Sequence, residues 1–532
     1  MSSEPKPADV GTSVAKAGGI MVVSLFLSRV LGMVREMVMT GKFGSGSQTD
    51  AYNLAFSLPD LLFFLIAGGA LSSAFIPVFT EYYQTEREDE AWHVFSVVAT
   101  VMSIVVLTFI TIAWILAEPI THLLAPSATG QKFNDIVLMS RIVLPTQYAF
   151  FIGGLMFGTL YARRVFAIPG LGPNVYNIGI LFGALVLSSF TNPPIAGMSW
   201  GALGGAMIGN LIIPFLTMRK LGSKFAFSLD VRHPGVVKVF KLMLPVVLGL
   251  SLPGVYDLIS RYYGQMYSDG LVTNLKLGNV LMQAPLAVFG QSLALAAFPV
   301  LSQHFARGET GLYQSQMNAT IRQVLFISIP ISALMFAAPE PIVVAIFQHG
   351  AFTVESSRIV SDLLRLLSLG IWAWCLHPVL MRGFFAAQHS TTPIVIGTIT
   401  TGVFFILINL GRQTSLSYLA IPLASSLSGL FLVAALLFAL HRRMGGVDFA
   451  GILSTMGKAL LGSIVFVGVT YGLLQVPYLQ SIQTNKLGAV LILLLVCLPG
   501  FSLYVIIARA LKMPETAALD RTFDKIRSRV GR

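Results

Sequence analysis

Fourteen stretches of this chain are apolar enough and long enough to cross a bilayer. A backbone held at that depth must satisfy its own hydrogen bonds, which a helix does. The stretches run over 17–39, 51–82, 92–116, 137–162, 173–189, 200–218, 242–267, 277–306, 323–347, 359–381, 393–410, 418–440, 459–474 and 487–508. Only 11% of the 532 residues are charged and 55% are hydrophobic, whereas a soluble domain carries about 25% charge. The expected fold class is an all-α polytopic membrane protein with about 14 transmembrane helices.

Residues 1–15 are polar and lack the short apolar core of a cleavable leader, so the first apolar segment is expected to stay in the mature protein. Cys375 and Cys497 lie in apolar runs and offer neither a disulfide framework nor a metal site. The eight histidines are scattered. No cofactor and no metal are expected. A net charge of +12 raises the question of nucleic acid, but the basic residues decorate the ends of apolar segments, so no nucleic-acid partner is expected. With the N-terminus inside and the segments alternating, 24 lysines and arginines fall on inner segments and 6 on outer ones, with five more inside the spans. That bias places both termini in the cytoplasm. After Pro514, Leu519, Phe523, Ile526 and Val530 form one helical stripe among Arg521, Lys525, Arg527 and Arg529. This reads either as a basic amphipathic helix on the inner surface or as a solvated tail. The loop at 219–241 is similarly basic, with Phe225 and Phe227 available to dip into the interface.

Two arginines, Arg29 and Arg35, sit inside the first apolar segment. Each costs roughly 2.5–3.5 kcal/mol at the centre of a membrane helix, so an intramembrane arginine is read first as a functional group facing a cavity. Arg35 can alternatively snorkel from a helix end. Six residues separate the two, about 9 Å along a helix and about 240° around it. Both face one cavity only if it is wide or if the helix bends near Gly32.

Segments 2 and 8 echo each other. Leu71-Ser-Ser-Ala-Phe-Ile-Pro77-Val78 is matched by Leu293-Ala-Leu-Ala-Ala-Phe-Pro299-Val300, 222 residues on. Tyr161-Ala162 followed by Pro169 is matched by Phe385-Ala386 followed by Pro393, 224 residues on. An even-numbered unit of six spans repeats in the same orientation, which is a transporter arrangement with the site between lobes. The expected divisions are a polar cytoplasmic N-terminus (1–16), an N-lobe (17–218), a basic cytoplasmic linker (219–241), a C-lobe (242–440), two further spans (441–511) and a basic amphipathic tail (512–532). Pro59, Gly68, Pro145, Pro285 and other prolines and glycines fall inside spans, where broken helices line protein or a water-filled cavity. Gly32, Pro59 and Pro285 are the candidate hinges.

The run from Ser28 through Arg29, Gly32 and Arg35 to Glu36 is followed by Phe43-Gly44, Thr49-Asp50-Ala51-Tyr52, Leu58-Pro59-Asp60-Leu61-Leu62 and Ala74-Phe75-Ile76-Pro77. Further on come Ile168-Pro169, Pro173 to Asn177, Phe347-Gln348-His349-Gly350-Ala351-Phe352-Thr353, Gly383-Phe384-Phe385 through Gln388, and Thr392-Pro393. This set resembles the MurJ/MviN family of lipid II flippases over nearly the whole chain. The resemblance implies a multidrug/oligosaccharidyl-lipid/polysaccharide exporter fold: two six-helix lobes in parallel repeat around a central cavity, plus two C-terminal helices forming a groove for a lipid tail. It implies movement of lipid-linked peptidoglycan precursor across the bacterial cytoplasmic membrane, by a protein that works as a monomer among membrane lipids, with cell-wall synthesis proteins as candidate partners.

The implied substrate carries a pyrophosphate, and the guanidinium fork matches phosphate oxygens. The resemblance carries a cavity role over to Arg29 and Arg35 and a functional role to Asp50, and Ser28 can add a hydroxyl. On the residues alone, Asp50 serves equally as a cap for segment 2. The chain also departs from the family. Phe63 and Phe64 stand where typical members carry basic residues, and Gly68 stands where they carry an acid. Val280 and Gln283, with Asn279 just before, stand where they carry an arginine and a glutamate on segment 8. Lys276 or Arg261 can substitute for the lost arginine. Either can instead snorkel or pair, Arg261 with Asp257 one turn earlier.

The missing charges also leave room for a paralogous exporter of another lipid-linked saccharide or lipid. A drug/cation antiporter requires an acidic ion site, and the intramembrane acids Asp257, Glu340 and Asp362 are isolated. A non-transporting scaffold has no use for Arg29 and Arg35. An enzyme is not expected, since the chain has no phosphate-cradling Gly-x-x-x-x-Gly-Lys loop and no recognisable catalytic grouping. The remaining drives are an ion gradient, the membrane potential or substrate flux.

Overall fold

The computed structural model describes residues 7–65, 70–85, 87–250, 253–483 and 485–517. Gly68 and the tail from residue 518 lie outside these residues. Among the described residues the regular structure is helical and no strand occurs. The chain divides into two compact units, Met1–Thr273 and Asn274–Arg532.

The first unit holds α1 (Pro7–Phe43), α2 (Ser47–Ala55), α3 (Ser57–Leu65), α4 (Ala70–Gln84), α5 (Glu88–Ile115), α6 (Ala117–Leu124), α7 (Gly130–Val143) and α8 (Thr146–Ala162). It continues through α9 (Ala167–Leu185), α10 (Ala196–Ala206), a π-helical stretch at Met207–Ile212, α11 (Ile213–Lys220), α12 (Pro234–Leu250) and α13 (Pro253–Gly264). The boundary falls inside α14 (Leu271–Pro285). The second unit continues with a π-helical turn at Leu286–Gly290, α15 (Gln291–Ala306), α16 (Thr310–Ala337), α17 (Pro339–Phe347), α18 (Val354–Ser368), α19 (Ile371–Ala386) and α20 (Thr391–Gly411). It ends with α21 (Ala420–Met444), α22 (Phe449–Leu474), α23 (Pro477–Ile482) and α24 (Lys486–Ala510).

Ten helices among the described residues are long and apolar enough to cross a bilayer, or eleven when α18 and α19, bent by 49°, count as one span. They account for expected segments 3–6 and 8–14. Segment 1 lies in α1, and segments 2 and 7 include residues outside the described set.

Several expected helices are broken, and proline explains most of the breaks. Segment 2 begins as α2 and α3, separated at Phe56. Pro59, three residues on, has no N–H to continue the ladder to Ala55. Segment 4 begins earlier than expected, as α7, and breaks at Leu144–Pro145 before α8. Segment 9 does not run to 347. It ends at Ala337, and Pro339 and Pro341 open the separate α17.

The sequence repeat has a packing counterpart in each half. In the first unit α4, which carries Pro77, packs on α8; in the second, α15, which carries Pro299, packs on α19. Phe75, Phe79 and Trp92 centre one apolar core, and Tyr313, Phe326, Phe384 and Tyr504 centre the other. The α9–α10 pair is packed through glycines. A Cβ on Gly179 would lie 2.6 Å from the Cα of Gly205, and Gly183 and Gly201 meet backbone in the same way. Small residues of this kind let membrane helices approach closely.

Candidate functional site

One face of α1 forms a polar seam with α9. Ser24, Ser28, Arg35 and Lys42 follow at steps of four, seven and seven residues, which keeps them on one stripe of a helix. The Ser24 hydroxyl donates to the Gly170 carbonyl at 2.6 Å, and Asn174 Nδ2 donates back to the Ser24 hydroxyl at 2.8 Å. One turn on, Asn177 Nδ2 donates to the carbonyl and the hydroxyl oxygen of Ser28 at 3.3 and 3.4 Å. The same amide accepts from Arg35 Nη1 through Oδ1 at 3.1 Å. Arg35 Nη2 and Nε reach Glu36 Oε1 at 2.7 and 3.1 Å. Glu36 is 1% exposed and Arg35 22%. Lys42 closes the seam on the Ala184 carbonyl and the Ser188 hydroxyl, at 2.8 and 2.6 Å.

The cost of an arginine inside the first segment is therefore met by a buried carboxylate and an amide on the neighbouring helix. A buried charge paired and hydrogen-bonded in this way is tolerated where a lone one is not. Arg29 is exposed, away from the stripe of Ser28 and Arg35. α1 runs unbroken through Gly32, so no bend there turns Arg29 onto the Arg35 face. The structure brings Ser28 and Arg35 together and leaves Arg29 on another side of the helix.

Asp50 forms a second polar centre. The expected local role was to cap segment 2. Instead Asp50 lies inside α2, fully buried, and caps a different helix. Its Oδ2 accepts from the Gly270 N–H at 2.8 Å, and its Oδ1 accepts from the Thr273 N–H at 2.9 Å and the Thr273 hydroxyl at 2.8 Å. These are the unpaired donors at the start of α14, where a carboxylate is favoured. Asn53 donates to the Thr273 hydroxyl at 3.1 Å. Lys132 Nζ stands 3.6 Å from Asp50 and 2.6 Å from Asp269.

Arg261 on α13 pairs with Asp60 on α3 at 2.8 Å, so a partner on another helix is present where the sequence offered Asp257. Lys276, Asn279 and Gln283 share one face of α14. The first two are half-buried and Gln283 is exposed. Pro285 ends α14 and leads directly into the π-helical turn, a form of local deformation frequent at functional sites. In the second unit a pocket of about 290 Å³ opens among α16, α18, α19 and α22, lined by Phe336, Trp372 and Ile464 and by Ser332, Ser368 and Ser463.

Ser28, Arg35 and Asp50 are marked as site candidates in the sequence, whereas Glu36, Asn177 and Lys132, which contact them in the structure, and Asn174, which bonds Ser24, are not. The available signal was the helical stripe on α1 together with two asparagines three residues apart in an apolar segment.

The family model described as "Lipid II flippase MurJ" matches residues 39–497. The chain belongs to the MurJ family. A lipid II flippase MurJ of Burkholderia cenocepacia is 26% identical over 388 residues, covering 71% of this chain and 74% of that protein. A probable lipid II flippase MurJ of Vibrio cholerae is 27% identical over 475 residues, covering 86% and 90%. Among solved structures, a lipid II flippase MurJ in an inward closed conformation matches with a TM-score of 0.74 at 22% identity, over 92% of this chain and 99% of that one. A multidrug MATE transporter of the MOP superfamily, inward-facing, matches with a TM-score of 0.64 at 13% identity, over 80% and 99%. These likenesses establish the fold. The Phe63 ring packs 5.7 Å from that of Phe151 on α8.

Proposed function

We propose that this chain is a flippase that moves lipid II, the lipid-linked peptidoglycan precursor, from the inner to the outer leaflet of the bacterial cytoplasmic membrane for cell-wall synthesis. Membership of the MurJ family over most of the chain supports this cargo in preference to another lipid-linked saccharide. As a transporter it translocates its substrate without chemical change. The reading includes cytoplasmic termini, an N-lobe at 17–218, a C-lobe at 242–440 and alternating access between them, with the protein working as a monomer.

The observation that carries the proposal is Arg35. Its guanidinium offers five N–H donors, of which the bonds to Glu36 and Asn177 use three. A pyrophosphate presents oxygens in the geometry of that fork. Ser28 and Arg35 are the proposed headgroup contacts on α1, with Arg29 as a second cation on another face. Lys276, Asn279 and Gln283 form the proposed polar stripe on α14, and Arg261, paired with Asp60, is a supporting charge. The pocket beside α22 is the proposed place for part of the lipid tail. Gly32, Pro59 and Pro285 are the proposed hinge positions, of which Pro285 has the adjoining π-helical turn in its favour.

Complementation tests the reading. Bacteria depleted of their own lipid II flippase should grow when this chain is expressed. They should fail to grow with Arg35→Ala at a matched membrane level. A folded, well-expressed wild type that does not rescue in several host species would overturn the assignment of cargo.

A further inference from the structure

The connection between α11 and α12 has no regular secondary structure, yet it is pinned to α5. The Ala226 N–H donates to the Ser96 hydroxyl at 3.2 Å, and that hydroxyl approaches the Lys224 carbonyl at 3.5 Å. The Phe225 ring meets Phe95 edge-on at 6.4 Å. Lys224 Nζ lies 2.5 Å from Asp89, whose carboxylate raises the pKa of the ammonium above its ordinary value. His93 and Asp230 approach to 3.3 Å. A slack linker does not need these contacts.

Held this way, the segment leaves Phe225, Phe227, Leu229 and Val231 exposed by 58, 73, 54 and 49%. They alternate in sequence with Ala226, Ser228, Asp230 and Arg232. A pinned apolar ridge marks an interaction surface. Two observations say what covers it. The first is depth. Ser96 is eight residues into α5 from Glu88, about 12 Å along the axis, and the segment touches α5 from Asp89 to Ser96, so it lies where the acidic first turn of a spanning helix gives way to its apolar stretch. The second is charge. Between 219 and 241 there are six lysines and arginines and one acid, Asp230. Of the six, Arg219, Lys220, Arg232 and Lys241 are exposed and stand outside the ion pairs that hold Lys224 and Lys238.

We propose that residues 219–241 form an interfacial anchor. Phe227, Leu229 and Val231 enter the boundary between headgroups and acyl chains, and Arg219, Lys220, Arg232 and Lys241 bind anionic phospholipid headgroups. Basic segments flanked by apolar side chains bind anionic leaflets through these two terms together. The anchor holds the connection between two consecutive spans on the bilayer surface.

The test uses full-length protein carrying Cys375→Ala and Cys497→Ala, with an environment-sensitive fluorophore at Phe227→Cys, in nanodiscs of phosphatidylglycerol or of phosphatidylcholine. Leu229→Cys serves as the second labelling site if the first variant fails to fold. The anchor predicts blue-shifted emission, quenching by lipids with a shallow nitroxide, and protection from aqueous iodide, all stronger in phosphatidylglycerol. Quenching by iodide and not by nitroxide lipid would overturn it. Protection from both quenchers would also overturn it, because a protein surface would then cover the ridge. The variant Arg219→Gln/Lys220→Gln/Arg232→Gln/Lys241→Gln should lose preference for phosphatidylglycerol over phosphatidylcholine, by roughly fivefold per cation removed. An unchanged preference would overturn the headgroup assignment.

Discussion

Asn174 and Asn177 on α9 have repeat counterparts on α20. The offset that carries Pro169 onto Pro393 carries these asparagines onto Thr398 and Thr401. The asparagines reach across to α1, binding Ser24, Ser28 and Arg35. The threonines bond back to carbonyls of their own helix, Ile394 and Gly397, at 3.0 and 3.1 Å. One half of the molecule therefore uses this position to hold a charge, and the other satisfies it locally and keeps the helix apolar. Helices at matching positions in the sequence repeat differ here in chemistry and in packing. In the α1–α9 seam the two asparagines bond to carbonyls of their own helix and also reach the polar side chains of α1.

The largest contrast is expected at the charge itself. Arg35→Ala should abolish rescue of flippase-depleted cells, while Thr401→Ala should leave growth unchanged. Equal effects would erase the distinction between the halves.

The next contrast is in packing. Gly201→Leu places a side chain against the Gly179 carbonyl and should lower the melting temperature of the purified protein, at a cost of about 1–3 kcal/mol or more. Gly402→Leu on α20 meets open space and should leave the melting temperature near that of the wild type.

Caps give a third contrast. Asp50→Ala leaves the buried N–H groups of Gly270 and Thr273 unpaired and should cost about 1–3 kcal/mol for each in thermal or denaturant unfolding. Thr353, which caps its own helix α18 by accepting from the Ser356 N–H, should cost only about 1 kcal/mol as Thr353→Ala.

The smallest contrast is between the amide and the hydroxyl. Asn177→Ala should cost about 0.6 kcal/mol, a typical value for a hydrogen bond between membrane helices. A double-mutant cycle with Ser28→Ala should show coupling. Thr401→Ala should stay within about 0.5 kcal/mol of wild type.

Much of this fold is written in local sequence. Apolar length marked the spans, the paired Pro77 and Pro299 motifs marked the repeat, and Pro59 and Pro145 supplied the breaks. The angle between Arg29 and Arg35 already implied that a straight helix separates them, and α1 is unbroken at Gly32. The partners of those residues were not legible. Asp50 and Gly270 are 220 residues apart, and no local spacing links a carboxylate in one helix to the N-terminus of another. Asn174 and Asn177 carry no charge, and neutral polar residues in apolar segments usually only pack. Arg261 has an acid one turn away in sequence, and it pairs with Asp60 on another helix, a partner that helical spacing does not show.

The most direct test is transport by the purified protein in proteoliposomes, with lipid II placed in one leaflet and its appearance in the other followed over time. Wild type and Thr401→Ala should move lipid II at similar rates, and Arg35→Ala should fall to the rate of protein-free vesicles. Transport by Arg35→Ala at the wild-type rate, or none by a folded wild type, would contradict the account.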